Sequence, residues 1–263
     1  TWPSNWAVNE RGSSSLMRID VSLAPGEIAA NDVAQAVVVV IDVLRATSTI
    51  AVALNNGCEE IIAAESIEEA INIASGYTRS DYVLGGERRG LPIDGFDLGN
   101  SPSEYVEARV RGKKLILVTT NGTRAIKAYD NAFAIYAASF LNADAVFRTL
   151  HRAHRDRDII LVCSGQDSRF CMEDALCSGL LASRFGNELG ATLTDSANAA
   201  ATLFEVHRDS IQQALAASSH GAYLIGVGYG HDVEYCSHRS EIDVVPKVFD
   251  RRVIRRARLE PEE

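Results

Sequence analysis

With 263 residues, 46% of them hydrophobic and 23% charged, the chain has an ordinary globular composition and can bury a sizeable core as one domain or two small lobes. A formal charge of −9 at pH 7 argues against a nucleic-acid partner, whose phosphates reward basic surfaces, but permits a small anionic substrate where basic residues cluster. No apolar run approaches the roughly 20 residues of a membrane span, so no membrane role is expected.

The opening TWPSNWAVNERGSSS lacks the basic start and apolar centre of a signal peptide. Periodic structure begins only at Met17, so residues 1–16 are expected as a disordered tail. Apolar, β-branched runs then follow in order: AVVVVIDV, EEIIAAE, DYVLGGE, KLILVTT, AIYAASF and DIILVCSG. None alternates strictly, as expected of strands covered on both faces. Helical patterns separate them: TSTIAVALNNG, SIEEAINIAS, SPSEYVEARVRG, TRAIKAYD, NADAVFRTLHR and EDALCSGLLASRFG. This alternation predicts an α/β fold with a mostly parallel, doubly wound sheet and helices on both faces, spanning residues 17–250. If it divides into two α/β lobes, the charged run HRAHRDRD at 151–158 is the place; otherwise that run is a solvated helix end. Residues 251–263 read as a charged tail. Five cysteines without a C-x-x-C pair predict free thiols in a reducing cytoplasm.

Ligands of such sheets sit beyond the carboxyl ends of the strands, which directs attention to the loops there. The first loop carries Asp42, Arg45, Thr47 and Ser48: a carboxylate able to hold a cation, a guanidinium suited to phosphate or sulfonate oxygens, and two candidate helix caps. The second, GGERRGLPIDGFDLGNSPSEY, offers Glu87 as a metal ligand and Arg88 and Arg89 as cations. It ends at Asn100 and Ser101, the latter expected to cap a helix in a box with Glu104. In the third, Asn121 and Gly122 make a turn, Thr123 can cap and Arg124 falls in the first helical turn, against the dipole unless an anion binds there. The fourth ends in Glu173 and Asp174, which either open a helix or bind Mg²⁺ and activate water.

Two alternative chemistries fit poorly. Cys163 and Arg169 satisfy C-x₅-R, yet Asp167 would repel a phosphate inside that cradle, and no His precedes the cysteine. DVLRAT lacks the second aspartate of the aspartate-nucleophile phosphatases, because Leu44 occupies its place. His151, His154, His207, His220 and His231 read as surface or capping residues, and His238 is left unassigned. Arginines beside carboxylates on shared loops therefore predict an anionic or phosphate ligand with a metal.

Taken together, IDVLRATSTI, GGERRGLPIDGFDLGNSP, TTNGTRA and the CSG…ED segment resemble the 2-phosphosulfolactate phosphatase family, in order from about Met17 to about Val245. HGAYLIGVGYGHDVEYCSHRSEIDVVP resembles that family's closing motif. The resemblance implies a Mg²⁺-dependent phosphatase converting 2-phospho-3-sulfolactate to 3-sulfolactate and phosphate, associated with coenzyme M biosynthesis. It places Asp42, Glu87 and Asp174 near Mg²⁺, with Glu173 as reserve ligand or base. Arg45, Thr47, Asn121, Gly122, Thr123 and Arg124 would hold anionic groups, and Asn100 and Ser101 would border the site. A homodimer is the expected assembly. A related 2-phospho acid as substrate, or a binding protein without chemistry, are the competing expectations.

Overall fold

The computed structural model describes residues 17–28, 33–250 and 252–257. The expected tail at 1–16 lies outside them, as do residues 258–263 and the side chains of Thr123 and Arg124. The six expected strands form as β2 (Val37–Ile41), β3 (Glu60–Ala64), β4 (Tyr82–Arg88), β6 (Lys114–Val118), β7 (Ala134–Ala138) and β8 (Ile159–Cys163). They are joined by β1 (Arg18–Ser22), β5 (Leu91–Pro92), β9 (Thr192–Leu193), β10 (Pro246–Phe249) and β11 (Val253–Arg256). Strands β2, β3, β7 and β8 are buried along their whole length, which is why their sequences lack alternation.

All eleven strands join one sheet, in the order β5-β4-β6-β3-β11-β10-β7-β2-β8-β1-β9. Six of its ten pairings are parallel; the four antiparallel ones are β4–β5 and the three made by the β10–β11 hairpin. This hairpin sits between two parallel blocks, β4-β6-β3 and β7-β2-β8-β1-β9. Residues 253–256, expected within a charged tail, are thus a strand inside the sheet: Ile254, fully buried, stands opposite Ile61 while Arg255 binds Glu60. The run at 151–158 ends a helix and turns into β8, and β7 and β8 on either side of it belong to the same block.

Helices cover both faces: α1 (Ala46–Asn55), α2 (Ile67–Ala74), α3 (Glu107–Val110), α4 (Gly122–Ala128), α5 (Ala143–Ala153), α6 (Met172–Leu189), α7 (Asp195–His207), α8 (Ile211–Ala217), α9 (Ser219–Gly226) and α10 (Gly230–Tyr235). Alternate residues of β2 show the layering. Val37, Val39 and Ile41 pack in one core cluster with α5, α6 and α7, whereas Val38 and Val40 pack in the other with α1. Among the described residues no helix is long and apolar enough to cross a membrane.

One local expectation fails. The helix read over SPSEYVEARVRG is only a 3₁₀ turn, Pro102–Glu104, followed by the four-residue α3. Ser101 makes no cap bond: its hydroxyl donates to buried Asp232 at 2.5 Å, and Glu104 accepts from the Gly99 amide at 2.8 Å. A buried carboxylate outcompetes the local capping box for the hydroxyl.

Candidate active site

The loops after β2, β4 and β6 meet with that after β8 and with α9 around a cleft of about 410 Å³. It is lined by Asp42, Leu44, Arg45, Glu87, Arg89, Gly90, Asn100, Thr119, Thr120, Asn121, Gln166, Asp167, His220 and Tyr223. Asp42 directly follows β2 and is buried. One of its oxygens accepts from the Ala46 amide at 3.2 Å, occupying the N-terminus of α1. The other lies against Gly122, where an added Cβ would come within 2.9 Å of it, so the β6–α4 turn approaches Asp42 only because residue 122 is glycine. Burial, together with the charges of Glu87 and Glu173, pushes the Asp42 carboxyl up to about 7, against the Ala46 and Gly122 amides that favour its charged form.

Glu87 bridges two loops. Its Oε1 accepts from the Thr120 amide and its Oε2 from the Gly90 amide, each at 2.7 Å. Asp174 is likewise a clamp: its oxygens accept from the Val43 amide at 2.9 Å and the Gly165 amide at 3.1 Å, tying the β2–α1 loop to the β8–α6 loop. Burial first, then Asp42 and Glu173, holds the Asp174 carboxyl well above the usual range. Glu173 differs from both. It is buried in the first turn of α6, and neither of its oxygens has a partner among the described residues.

The remaining expected residues divide. Asn100 lines the cleft, with its carbonyl oxygen bound by Thr49 and its side-chain Oδ1 buried and unpartnered. Thr120, which the sequence reading passed over, lines it too and presents an unpartnered Oγ1. Arg45 reaches the cleft, but Asp232 holds Nη1 and the Gly90 carbonyl holds Nη2, each at 2.6 Å, and Tyr229 stacks on the guanidinium. Thr47 turns away from the cleft: its hydroxyl donates to the Asp42 carbonyl at 2.8 Å and accepts the Asp42 amide at 3.0 Å, so it closes the loop in place of contacting substrate. Ser101 is occupied by Asp232. Ser48, the other expected cap, bonds the Val43 carbonyl.

Cys163 is no nucleophile. Its thiol is fully buried against Ser178 at 3.3 Å, and burial pushes its pKa well up, with Asp174 adding to it. All five cysteines are free and buried.

His220 is not the surface or capping residue expected from the sequence. It enters the cleft from α9 with its Nδ1 buried and unpartnered, and burial lowers its pKa although Glu173 and the Leu44 carbonyl oppose this. Only the likeness of HGAYLIGVGYGHDVEY to a family segment signalled it. Tyr223 and Asp232 come from the same stretch.

A family model for 2-phosphosulpholactate phosphatase matches residues 22–251, a range containing every loop of this cleft. The chain belongs to the 2-phosphosulfolactate phosphatase family. A protein of Clostridium beijerinckii named probable 2-phosphosulfolactate phosphatase is 34% identical over 238 residues, which cover 90% of this chain and 99% of that protein. One of the same name from Clostridium botulinum strain Eklund 17B is 38% identical over 235 residues, 89% of this chain and 97% of its own. Another, from Symbiobacterium thermophilum, is 38% identical over 235 residues, 89% of this chain and 98% of its own. The 2-phosphosulfolactate phosphatase match therefore runs through nearly all of the described fold, closing segment included.

Proposed function

We propose that the chain is a Mg²⁺-dependent phosphomonoesterase that hydrolyses 2-phospho-3-sulfolactate to 3-sulfolactate and phosphate. Family membership supports the phosphatase class, and the names of the relatives supply the substrate. The observation that supports the metal is Glu173: a buried carboxylate beside Asp42 whose oxygens meet no hydrogen-bond geometry among the described residues, and which a bound cation would satisfy. Among the described residues no group of three or more His, Cys, Asp or Glu side chains is placed to hold a metal ion. Mg²⁺ keeps several waters and needs only one or two protein carboxylates. Asp42 and Glu173 would hold it: Asp42 lines the cleft and feels the Glu173 charge, whereas Glu87 and Asp174 each tie two loops together through their amides. When bound, Mg²⁺ supplies charge stabilisation at the phosphoryl oxygens.

The chain's own residues supply the rest. Asn100 and Thr120 line the cleft, and each has a buried side-chain oxygen without a hydrogen-bond partner among the described residues, available to orient the ester and its waters. His220 lines the cleft, burial lowers its pKa, and its Nδ1 has no hydrogen-bond partner among the described residues, which makes it the candidate to orient and deprotonate the attacking water. Arg45, fixed by Asp232 and Tyr229, contributes an immobile positive wall.

Phosphate release from 2-phospho-3-sulfolactate, with Mg²⁺ and then with EDTA, tests the reading. Turnover abolished by EDTA and restored by Mg²⁺ is expected. Binding that stabilises the protein without phosphate release would make it a metabolite-binding protein instead.

A further inference from the structure

Arg89 occupies a position that turn chemistry favours for other residues. β4 and β5 pair as Glu87 with Pro92 and Arg88 with Leu91, leaving Arg89 and Gly90 as the two-residue loop of a hairpin. Both have positive φ, 53° and 79°, as a type I′ turn requires, and such turns prefer Asn-Gly or Asp-Gly. Gly90 conforms; Arg89 places a long side chain in the left-handed region. Its neighbours hold it there. The Gly90 amide donates to Glu87 at 2.7 Å, the Tyr223 hydroxyl donates to the Arg89 carbonyl at 2.8 Å, and Arg45 donates to the Gly90 carbonyl at 2.6 Å. Unfavourable backbone fixed from several sides at the rim of a cleft points to a use for the side chain.

The charges say what that use is. Of the described residues, two cations line the cleft, Arg45 and Arg89. Arg45 is buried and paired with Asp232. Arg88, next in sequence, turns instead to the Glu65 carbonyl. Arg89 is exposed, and its guanidinium has no ion pair or hydrogen bond among the described residues. It is therefore the described cleft cation whose donors are not already spoken for.

We propose that Arg89 is the specificity-determining residue that holds the sulfonate of 2-phospho-3-sulfolactate, an inference that rests on the function proposed above. Glu87 separates the two ends of the substrate. One of its oxygens takes the Thr120 amide, on the loop that runs to Asn121 and Gly122 beside Asp42; the other takes Gly90, next to Arg89. The phosphoryl group belongs at the Asp42 end, with the acidic residues that hydrolysis uses. A second anionic group reaching past Glu87 meets the planar donor fork of Arg89, which matches sulfonate oxygens in pairs.

The test is Arg89→Asn, assayed on 2-phospho-3-sulfolactate and on 2-phospholactate, which lacks the sulfonate, with thermal melting alongside. Asparagine suits the turn, so the variant should melt at or above the wild-type temperature. The ratio of kcat/KM for the sulfonated ester to that for phospholactate should fall at least about tenfold, the value of a charged hydrogen bond. Arg89→Lys, which keeps charge but loses the fork, should lower the ratio less. An unchanged ratio, or equal losses on both esters, would overturn the assignment. If the wild-type protein hydrolyses neither ester, the proposed function fails and takes this assignment with it.

Discussion

His220 Nδ1 and the Glu173 oxygens share an anomaly, burial without a hydrogen-bond partner among the described residues, and they share a neighbourhood, since the Glu173 charge acts on the His220 ring. Such atoms are rare in native folds and concentrate where a ligand completes the bonding. We expect His220→Gln to lower kcat by about a hundredfold or more while KM moves far less, as loss of a general base does. Steady-state kinetics decide: a kcat within about twofold of wild type would return His220 to a structural role. Asp232 acts differently, through Arg45. Both are almost fully buried, so Asp232→Ala strands a charge and should cost about 3–5 kcal/mol in urea unfolding. Replacing both partners, Arg45→Met with Asp232→Leu, should recover much of that stability. A double variant no more stable than the single one would mean that the pair is not the source of the loss.

At this scale the cleft is legible in the sequence where its residues lie at or after the carboxyl end of a strand. Asp42, Glu87, Asn100 and Asn121 were found on loops after apolar runs and do line the cleft. His220, Tyr223 and Asp232 follow no strand; they come from short helices whose docking against the cleft is purely tertiary. Ser101 was misassigned for the same reason: its partner lies 131 residues away, and no local rule sees that far.

Among the elements, the β10–β11 hairpin is the least legible and the most consequential. Its sequence, PKVFDRRVIRRAR, is dense in charge and short in apolar residues, which is the composition of a tail. What makes it a strand pair is alternation: Val248 faces Ile254, while Lys247 faces Arg255 on the other side. Glu60 then receives Arg255 at 2.8 Å and Lys114 at 2.5 Å, so part of the charge is matched within the sheet. Both partners hold the Glu60 carboxyl below its usual value against the burial that would raise it. Because this hairpin joins two parallel blocks, Ile254 carries more than its own contacts. Ile254→Ala should destabilise the protein by about 2–5 kcal/mol, the range for a fully buried Ile. A loss below about 1 kcal/mol in denaturant unfolding would show that the hairpin is peripheral to the cooperative unit.

For the whole molecule, stability against pH is set by buried groups of opposite sign. His154 is buried beneath Phe133, with its Nε2 2.8 Å from the Tyr136 hydroxyl. Burial, then the charges of Lys247 and Arg157, lowers its pKa below the ordinary 6.5. The unfolded chain thus takes up this proton before the folded one does. The resulting stability is complete above about pH 6.5 and is lost as pH falls through the window beneath it. Asp42 runs the other way. Its folded value of about 7 exceeds the unfolded 3.8, so its contribution is complete below 3.8 and is lost as pH rises towards 7. Asp174, also raised, adds to that limb. The His154 window lies just beneath pH 6.5, inside the Asp42 window between 3.8 and about 7, and there the wild-type slope is a difference of opposing terms. Single variants separate them in EDTA-treated protein. His154→Gln should make stability fall more steeply with rising pH across that window, and Asp42→Asn should make it fall less steeply or rise. Urea midpoints at pH 5, 6 and 7 measure both slopes, and two variants that shift them in the same direction would refute the assignment of these two groups as the opposing pair.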